Sequence, residues 1–164
     1  MTTSLVRTRQ GTDDDLALVT ALHDRCSADA LLRRFHAPVP RVPDRMARGL
    51  IAPHRGWSVL AVHGQDAVGM ACAGPVSEHL VEVGILVEDA SQGRGVGSRL
   101  LRDVATEGAA RGYRSLLCLT QPDNDAVLAT IQRVALPHTV THADGLMRIV
   151  MQITSAEAAL PLPA

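Results

Sequence analysis

The chain has 164 residues, of which 46% are hydrophobic and 20% are charged, and its formal net charge at pH 7 is −1. That length suits one domain with a sizeable core, and the near-neutral charge offers no basic field for nucleic acid or a membrane surface. All 16 basic residues are arginine, so no lysine side chain can serve as a base or be acylated. Only Phe35, Trp57 and Tyr113 are aromatic, which excludes the stacking platforms that bind single-stranded nucleic acid.

The three cysteines, Cys26, Cys72 and Cys118, are odd in number, widely spaced and set among apolar residues. We therefore expect reduced core cysteines in a cytoplasmic protein. Residues 1–10 lack the apolar stretch of a signal peptide, and no run approaches the ~20 apolar residues of a membrane-spanning helix. The seven histidines show no metal-ligand spacing, so we expect no metal site.

The first half of the chain mixes strand and helix signals. Residues 5–9 alternate as in a strand, and Thr12 is a predicted N-cap with acidic residues in the first turn of the following helix. Ser27 is a second N-cap signal, and a proline-rich loop follows the helix that it opens. The remaining predicted elements here are a short helix over 44–51, hairpin strands over 57–63 and 67–73, and a strand over 80–87.

The second half predicts a long helix over 98–111, with Gly112 just beyond its end. A short buried strand over 115–119, a helix opened by residues 122–124, and strands over 137–141 and 146–153 follow. We expect residues 1–154 to form one mixed α/β domain and residues 155–164 to form a flexible tail.

A glycine-rich turn, Gln92-Gly93-Arg94-Gly95-Val96-Gly97, joins the strand over 80–87 to the long helix. Backbone N–H groups at such a turn, together with a helix N-terminus, favour a phosphate-bearing ligand. The spacing does not fit a Rossmann dinucleotide site, and a Walker A loop would need a lysine. A purely structural turn is the alternative, since short glycine motifs are weak signals.

The same six residues match the signature of the GNAT superfamily of acyl-CoA N-acyltransferases, and residues 5–153 resemble that fold in the order of elements. The resemblance implies a mixed, splayed central sheet of about seven strands flanked by helices, with acetyl-CoA as cosubstrate. The first third, from Asp24-Arg25-Cys26-Ser27 to Arg33-Arg34-Phe35, is similar to a bacterial subgroup that includes protein-lysine acetyltransferase domains.

By this resemblance, three sets of residues would hold acetyl-CoA. The strand end would pair with the pantetheine arm, the glycine turn would hold the pyrophosphate, and Asn124 would bond the pantetheine or order the site. Asn124 is equally compatible with a simple N-cap, and Arg94 and Arg99 are compatible with phosphate contacts or with a solvated surface. The cofactor-binding set is Ile85, Leu86, Val87, Gln92, Gly93, Arg94, Gly95, Val96, Gly97, Ser98 and Asn124.

Glu82 is the candidate catalytic residue. Acyl transfer to an amine requires a base, and Glu82 lies in an otherwise apolar strand, where an ionisable group is unusual. It also matches the glutamate base of protein-lysine acetyltransferases in the superfamily. The alternative is a glutamate on a solvated strand face; Glu78, His79 and Glu88 are lesser candidates.

The general acid is the point at which the chain departs from the family pattern. Ile131 stands where many members have a tyrosine near the thioester sulfur, so the thiolate would leave unassisted or with help from water. The implied function is acetyl transfer from acetyl-CoA to a primary amine, either a protein lysine or a small molecule. A catalytically weak acyl-CoA-binding regulatory module is the alternative. The sequence leaves a homodimer open and leaves the acceptor unnamed. Arg33, Arg34, Arg41 and Arg45 hint at an acidic surface or an acid-bearing substrate, but arginine is also the only cation that this chain uses.

Overall fold

The computed structural model describes residues 5–153, which form seven strands and five helices. The predicted tail over 155–164 lies outside the described residues. In chain order the elements are β1 (Arg7–Gln10), α1 (Leu16–Arg25), α2 (Ala28–Phe35), α3 (Asp44–Ile51), β2 (Trp57–His63), β3 (Asp66–Pro75), β4 (Leu80–Val87), α4 (Val96–Ala110), β5 (Ser115–Thr120), α5 (Asp125–Val134), β6 (His138–Ala143) and β7 (Leu146–Gln152).

All seven strands belong to one sheet, with the order β1-β2-β3-β4-β5-β7-β6. Neighbouring strands are antiparallel except β4 and β5, which are parallel. The β4–β5 pairing covers three residues of each strand and ends at Glu82 opposite Leu117. Beyond that point the two strands separate, so the predicted mixed, splayed sheet of seven strands is confirmed.

Two hydrophobic clusters hold the helices to opposite faces of the sheet. One cluster packs α4 and α5 against the sheet through residues such as Val81, Leu100 and Ile149. The other packs α1, α2 and α3 against β2, β3 and β4, with Leu22 and Leu86 among its buried members. Because side chains alternate along a strand, Val81 and Val83 of β4 face α4, whereas the even-numbered residues face α2.

Three local predictions need correction. The long helix begins at Val96 rather than at residue 98, and β3 extends to Pro75. Thr12 does not cap α1 directly, because residues 13–15 form a separate 3₁₀ turn before that helix. Ser27 does cap α2, and its hydroxyl accepts a hydrogen bond from the backbone N–H of Ala30. The three cysteines are free thiols, as predicted.

The 3₁₀ turn is tied to β1 by an ion pair with an expected pH signature. Arg9 donates to both carboxylate oxygens of Asp15, at 2.6 and 2.8 Å, and holds the pKa of that carboxyl down, from 3.8 to about 2. A depressed folded-state pKa adds stability above the unfolded pKa, and this stability is lost as the pH falls from about 4 to 2.

We expect Asp15→Asn to lower the free energy of unfolding at pH 7 by about 1–2 kcal/mol, a figure reduced because half of Arg9 is exposed to solvent. The difference from the wild type should shrink as the pH approaches 2. Denaturant unfolding at pH 7, 4 and 2.5 measures it, with the exposed neighbour Asp14→Asn as control. If the free energies of unfolding of Asp15→Asn and the wild type differ by the same amount at all three pH values, the ion pair is not the source of the difference.

Candidate active site

The separation of β4 and β5 opens a cleft of about 360 Å³. One wall is the stretch of β4 beyond the last β5 pair, residues 83–87, whose backbone on that side has no neighbouring strand. This stretch includes Ile85, Leu86 and Val87, for which the family resemblance implies contact with the pantetheine arm. Backbone polar groups at a free strand edge can pair with the amides of an extended ligand.

The glycine turn leads from this edge to the N-terminus of α4. Gly93 and Gly95 have φ values of 71° and 80°, a region that glycine enters without steric cost. Gly95 is the N-cap of α4, and it has no side chain to occupy the first backbone N–H groups of the helix. These N–H groups, from Val96 to Ser98, lie at the cleft, as expected of an anion site.

The structure separates the polar residues of the turn into those that line the cleft and those that do not. Gln92 lines it, and its side-chain amide donates to the carbonyl of Val87 at 3.0 Å. Arg94 is exposed and lies outside the cleft lining. Arg99 donates to the carbonyl of Val6 at the other side of α4, so the hypothesis that it contacts phosphate is not supported by its position.

The opposite wall comes from the end of β5 and one face of α5. Asn124 immediately precedes α5, but its side chain makes no capping bond; its amide instead donates to the hydroxyl of Thr120 at 2.8 Å. Asn124 is thereby held at the cleft, and the simple N-cap interpretation is wrong.

Sequence reasoning missed Arg133, a cation from a remote segment that approaches Gly95 of the glycine turn. Its Nη1 lies 3.9 Å from the position that a Cβ on Gly95 would occupy, and the residue lines the cleft. The signal for it was the spacing of Ala126, Thr130 and Arg133 along one face of a helix that begins at Asp125. Arg133 is therefore a better phosphate partner than Arg94 or Arg99.

Glu82 lies at the point where β4 and β5 part, and it lines the cleft. Its side chain is exposed on the face of β4 that turns toward α2, not buried in the apolar setting that the sequence suggested. No residue from 5 to 153 forms an ion pair or a hydrogen bond with its carboxylate. The carboxylate is therefore free to accept a proton from a ligand in the cleft. Glu78 and His79 lie in the turn before β4, and Glu88 is paired with Arg25.

Two further residues of the cleft bear on proton transfer and nucleophilic chemistry. Ile131 lines the cleft and is 2% exposed, so an apolar side chain occupies this part of its wall. Burial raises the pKa of the Cys118 thiol to about 11; the positive charge of Arg34 lowers it to a smaller extent, and the negative charge of Glu82 raises it slightly. Cys118 is therefore protonated at neutral pH and is unsuited to act as a nucleophile.

The corner between α1 and α2 is bonded to the segment that follows β4. The carboxylate of Asp89 accepts hydrogen bonds from the backbone N–H of Ser27 at 2.9 Å and from its hydroxyl at 2.7 Å, and these bonds lower the pKa of Asp89. Arg25 donates to Glu88 at 2.9 Å. The start of α2 is thereby fixed to the loop that leads into the glycine turn.

The described residues contain neither a candidate metal site nor a candidate membrane-spanning helix. Across residues 5–153, no cluster of three or more His, Cys, Asp or Glu side chains is arranged to hold a metal ion. In that same part of the chain, no helix combines the length and the apolar character needed to cross a membrane.

Comparison with known proteins shows the family to which the chain belongs. Residues 20–135 match the acetyltransferase (GNAT) family, and this span contains Glu82, the glycine turn and Asn124. The chain therefore belongs to the GNAT family of acetyltransferases. A comparison with curated proteins finds no significant relative.

Solved structures support the same fold. The GNAT domain of S. lividans PAT is 24% identical with a TM-score of 0.81, and the match covers 90% of each chain. The putative acetyltransferase yncA from Salmonella typhimurium, solved with its cofactor acetyl-CoA, is 18% identical (TM-score 0.70; 97% of this chain and 99% of that one). A phosphinothricin acetyltransferase from Sinorhizobium meliloti, in complex with acetyl-CoA, is 17% identical (TM-score 0.74; 97% and 94%).

Proposed function

We propose that the protein transfers the acetyl group of acetyl-CoA to a primary amine, either a small molecule or a protein lysine. The observation that carries this proposal is the continuity of the cleft. A free edge of β4 runs from Val83 to Val87, just beyond Glu82, and continues through the glycine turn to the uncapped N–H groups of α4. This arrangement suits a ligand with an extended amide arm and a phosphate end, and two solved structures of the same fold were determined with acetyl-CoA.

Each part of the cleft has a role in this proposal. The backbone N–H groups from Val96 to Ser98 and the guanidinium of Arg133 hold phosphate, and the edge of β4 holds the pantetheine amides. Bound acetyl-CoA supplies a thioester whose carbonyl carbon the amine nitrogen attacks. Glu82 accepts the proton that the ammonium form of the acceptor must lose before attack, either directly or through one water.

Ile131 itself offers the departing thiolate no acid, because its side chain is apolar. A thiol with a pKa near 8.5 is a tolerable leaving group without protonation, and water at the open cleft can then supply the proton. Cys118 is a poor acid for this step, because its own pKa is raised above that of an ordinary thiol.

Ligand-induced stabilisation and thiol release test the proposal together. We expect acetyl-CoA and CoA to raise the melting temperature and NAD and ATP to leave it nearly unchanged, since ligands that bind only the folded state stabilise it. Release of free CoA thiol over a panel of amines then measures transfer. Stabilisation by NAD or ATP without stabilisation by acetyl-CoA would refute the proposal.

A non-catalytic acyl-CoA-binding module is the second candidate, favoured by the buried, apolar Ile131 at the cleft wall. It predicts stabilisation by acetyl-CoA with no thiol release on any amine, whereas an acetyltransferase gives both signals.

Arg133→Met is expected to weaken acetyl-CoA binding by about threefold to tenfold, because a partly exposed charge pair with phosphate is lost. The loss should shrink as salt is added, since salt screens such pairs. Titration calorimetry at 50 and 300 mM salt measures both effects. Arg94→Met is the matched control, and we expect it to weaken acetyl-CoA binding less than Arg133→Met does. If Arg94→Met weakens binding more, the phosphate contact belongs to Arg94.

A further inference from the structure

Arg34 of α2 has a fixed position over the middle of β4. Its guanidinium lies against the backbone of Gly84, where a Cβ would stand only 2.4 Å from Cζ. Its Nη2 donates to Sγ of Cys72, the residue paired with Gly84 across β3 and β4, at 2.7 Å. The ring of Phe35 lies 5.0 Å from Cζ. The guanidinium is thus confined between a strand backbone, a thiol and an aromatic ring.

The charge of Arg34 is not neutralised by the protein. Within residues 5–153 no carboxylate lies within ion-pair distance of it, and the bond to Cys72 is its one hydrogen bond. A guanidinium has five N–H donors, so most of them are left for another partner. The adjacent Arg33, by contrast, pairs with Asp29 at 3.0 Å and with Asp123 at 3.4 Å. Arg34 is half-buried and lines the cleft, where a cation without a partner is costly.

Arg34 and Glu82 lie on the same face of β4. Glu82 and Gly84 lie on the same face of β4, about 6.6 Å apart along the strand. Gly74, opposite Glu82 on β3, has no atom within 4 Å of the position that its Cβ would occupy. Gly74 therefore leaves a basin beside Glu82, and the guanidinium of Arg34, which covers Gly84, lies two residues further along the same face of β4.

We propose that Arg34 binds a carboxylate of the acceptor, and that the acceptor is an amino acid or a similar primary amine whose carboxylate lies only a few bonds from its nitrogen. This inference rests on the proposed acetyl transfer. In this arrangement Glu82 receives the amine end, and the guanidinium receives the carboxylate through two parallel N–H bonds. The spacing of the two side chains suits one small zwitterion that spans the basin.

The experiment compares pairs of amines that differ in the carboxylate alone: glycine with glycinamide, β-alanine with its amide, γ-aminobutyrate with its amide, and lysine with cadaverine. Binding to CoA-saturated protein is measured by calorimetry, and kcat/KM is measured by thiol release. For at least one pair we expect the carboxylate-bearing member to bind and react about tenfold to a hundredfold better, the effect of a charge-assisted hydrogen bond.

Arg34→Met should remove this preference while acetyl-CoA binding stays unchanged. Arg33→Met is the matched control, since it removes a neighbouring charge that is already paired, and the preference should persist in it. Gly84→Ala gives a second test if Arg34→Met fails to fold, because a methyl group displaces the guanidinium without removing its charge. We expect the preference to be lost in that variant also.

The two proposals fail in different ways. If no amine releases thiol but calorimetry still shows the preference and Arg34→Met loses it, acetyl transfer is wrong and the role of Arg34 stands. If amines react but the members of every pair bind and react alike, transfer stands and the role of Arg34 is overturned. The role of Arg34 is also overturned if none of these amines binds or if Arg34→Met keeps the preference for the carboxylate. It is overturned as well if a lysine peptide without a nearby carboxylate reacts with a higher kcat/KM than any of these amines.

Discussion

Glu82→Gln is expected to lower kcat for acetyl transfer by about 10²–10⁴-fold, the range associated with loss of a general base. Glutamine keeps the shape of the side chain but cannot accept the proton of the acceptor ammonium. Because Glu82 is exposed and makes no ion pair or hydrogen bond with residues 5–153, the substitution should not disturb folding. Thiol release at saturating acetyl-CoA measures the change.

Two controls make this result interpretable. The affinity for acetyl-CoA, measured by calorimetry, should remain within about twofold of the wild-type value, since Glu82 holds no part of that ligand in our proposal. Glu78→Gln, in the exposed turn before β4, should leave kcat unchanged. An unchanged kcat in Glu82→Gln would exclude Glu82 as the base.

Gly95→Ala should raise the Kd for acetyl-CoA at least tenfold. A left-handed conformation such as φ 80° costs a residue with a Cβ about 1–2 kcal/mol, so the turn is expected to relax away from it. The relaxation would move the first N–H groups of α4, and each charge-assisted bond lost to phosphate is worth about 1.5–3 kcal/mol. Calorimetric titration with acetyl-CoA measures the affinity.

Gly112→Ala is a closely matched control for this substitution. Gly112 follows the other end of α4, has a φ of 90° and has open space where a Cβ would stand. Both variants should therefore lose a similar amount of stability, while Gly112→Ala should bind acetyl-CoA like the wild type. Equal affinities in the two variants would show that the conformation at Gly95 does not support the phosphate site.

Most of the fold was accessible to sequence reasoning, because its signals are local. Helix α3 and strand β2 have the predicted bounds, since glycine or proline residues mark their ends. Strand β4 also has the predicted bounds, because an apolar run fills it between charged residues. The start of α4 was placed two residues late, because the N-cap is a glycine in a left-handed conformation and not a polar capping residue.

The candidate site was only partly accessible, because its cations come from remote segments. The glycine turn could be recognised, since its anion-binding groups belong to the backbone of one short segment. For Arg133 the sequence could show only the helix face on which it lies, because its approach to Gly95 depends on how α5 packs beside α4. The exposure of Glu82 was also hidden, since it depends on where the β4–β5 pairing ends and not on the apolar neighbours of Glu82 in sequence.

The contact between Arg34 and Gly84 also constrains how the protein can evolve. A side chain at position 84 displaces the guanidinium from its position, so a change there carries an extra cost for as long as Arg34 is present. The cost of a double change should therefore be less than the sum of the two single costs, a departure from additivity that a double-mutant cycle would measure. Among related chains, we expect a residue other than glycine at position 84 to accompany loss of arginine at position 34.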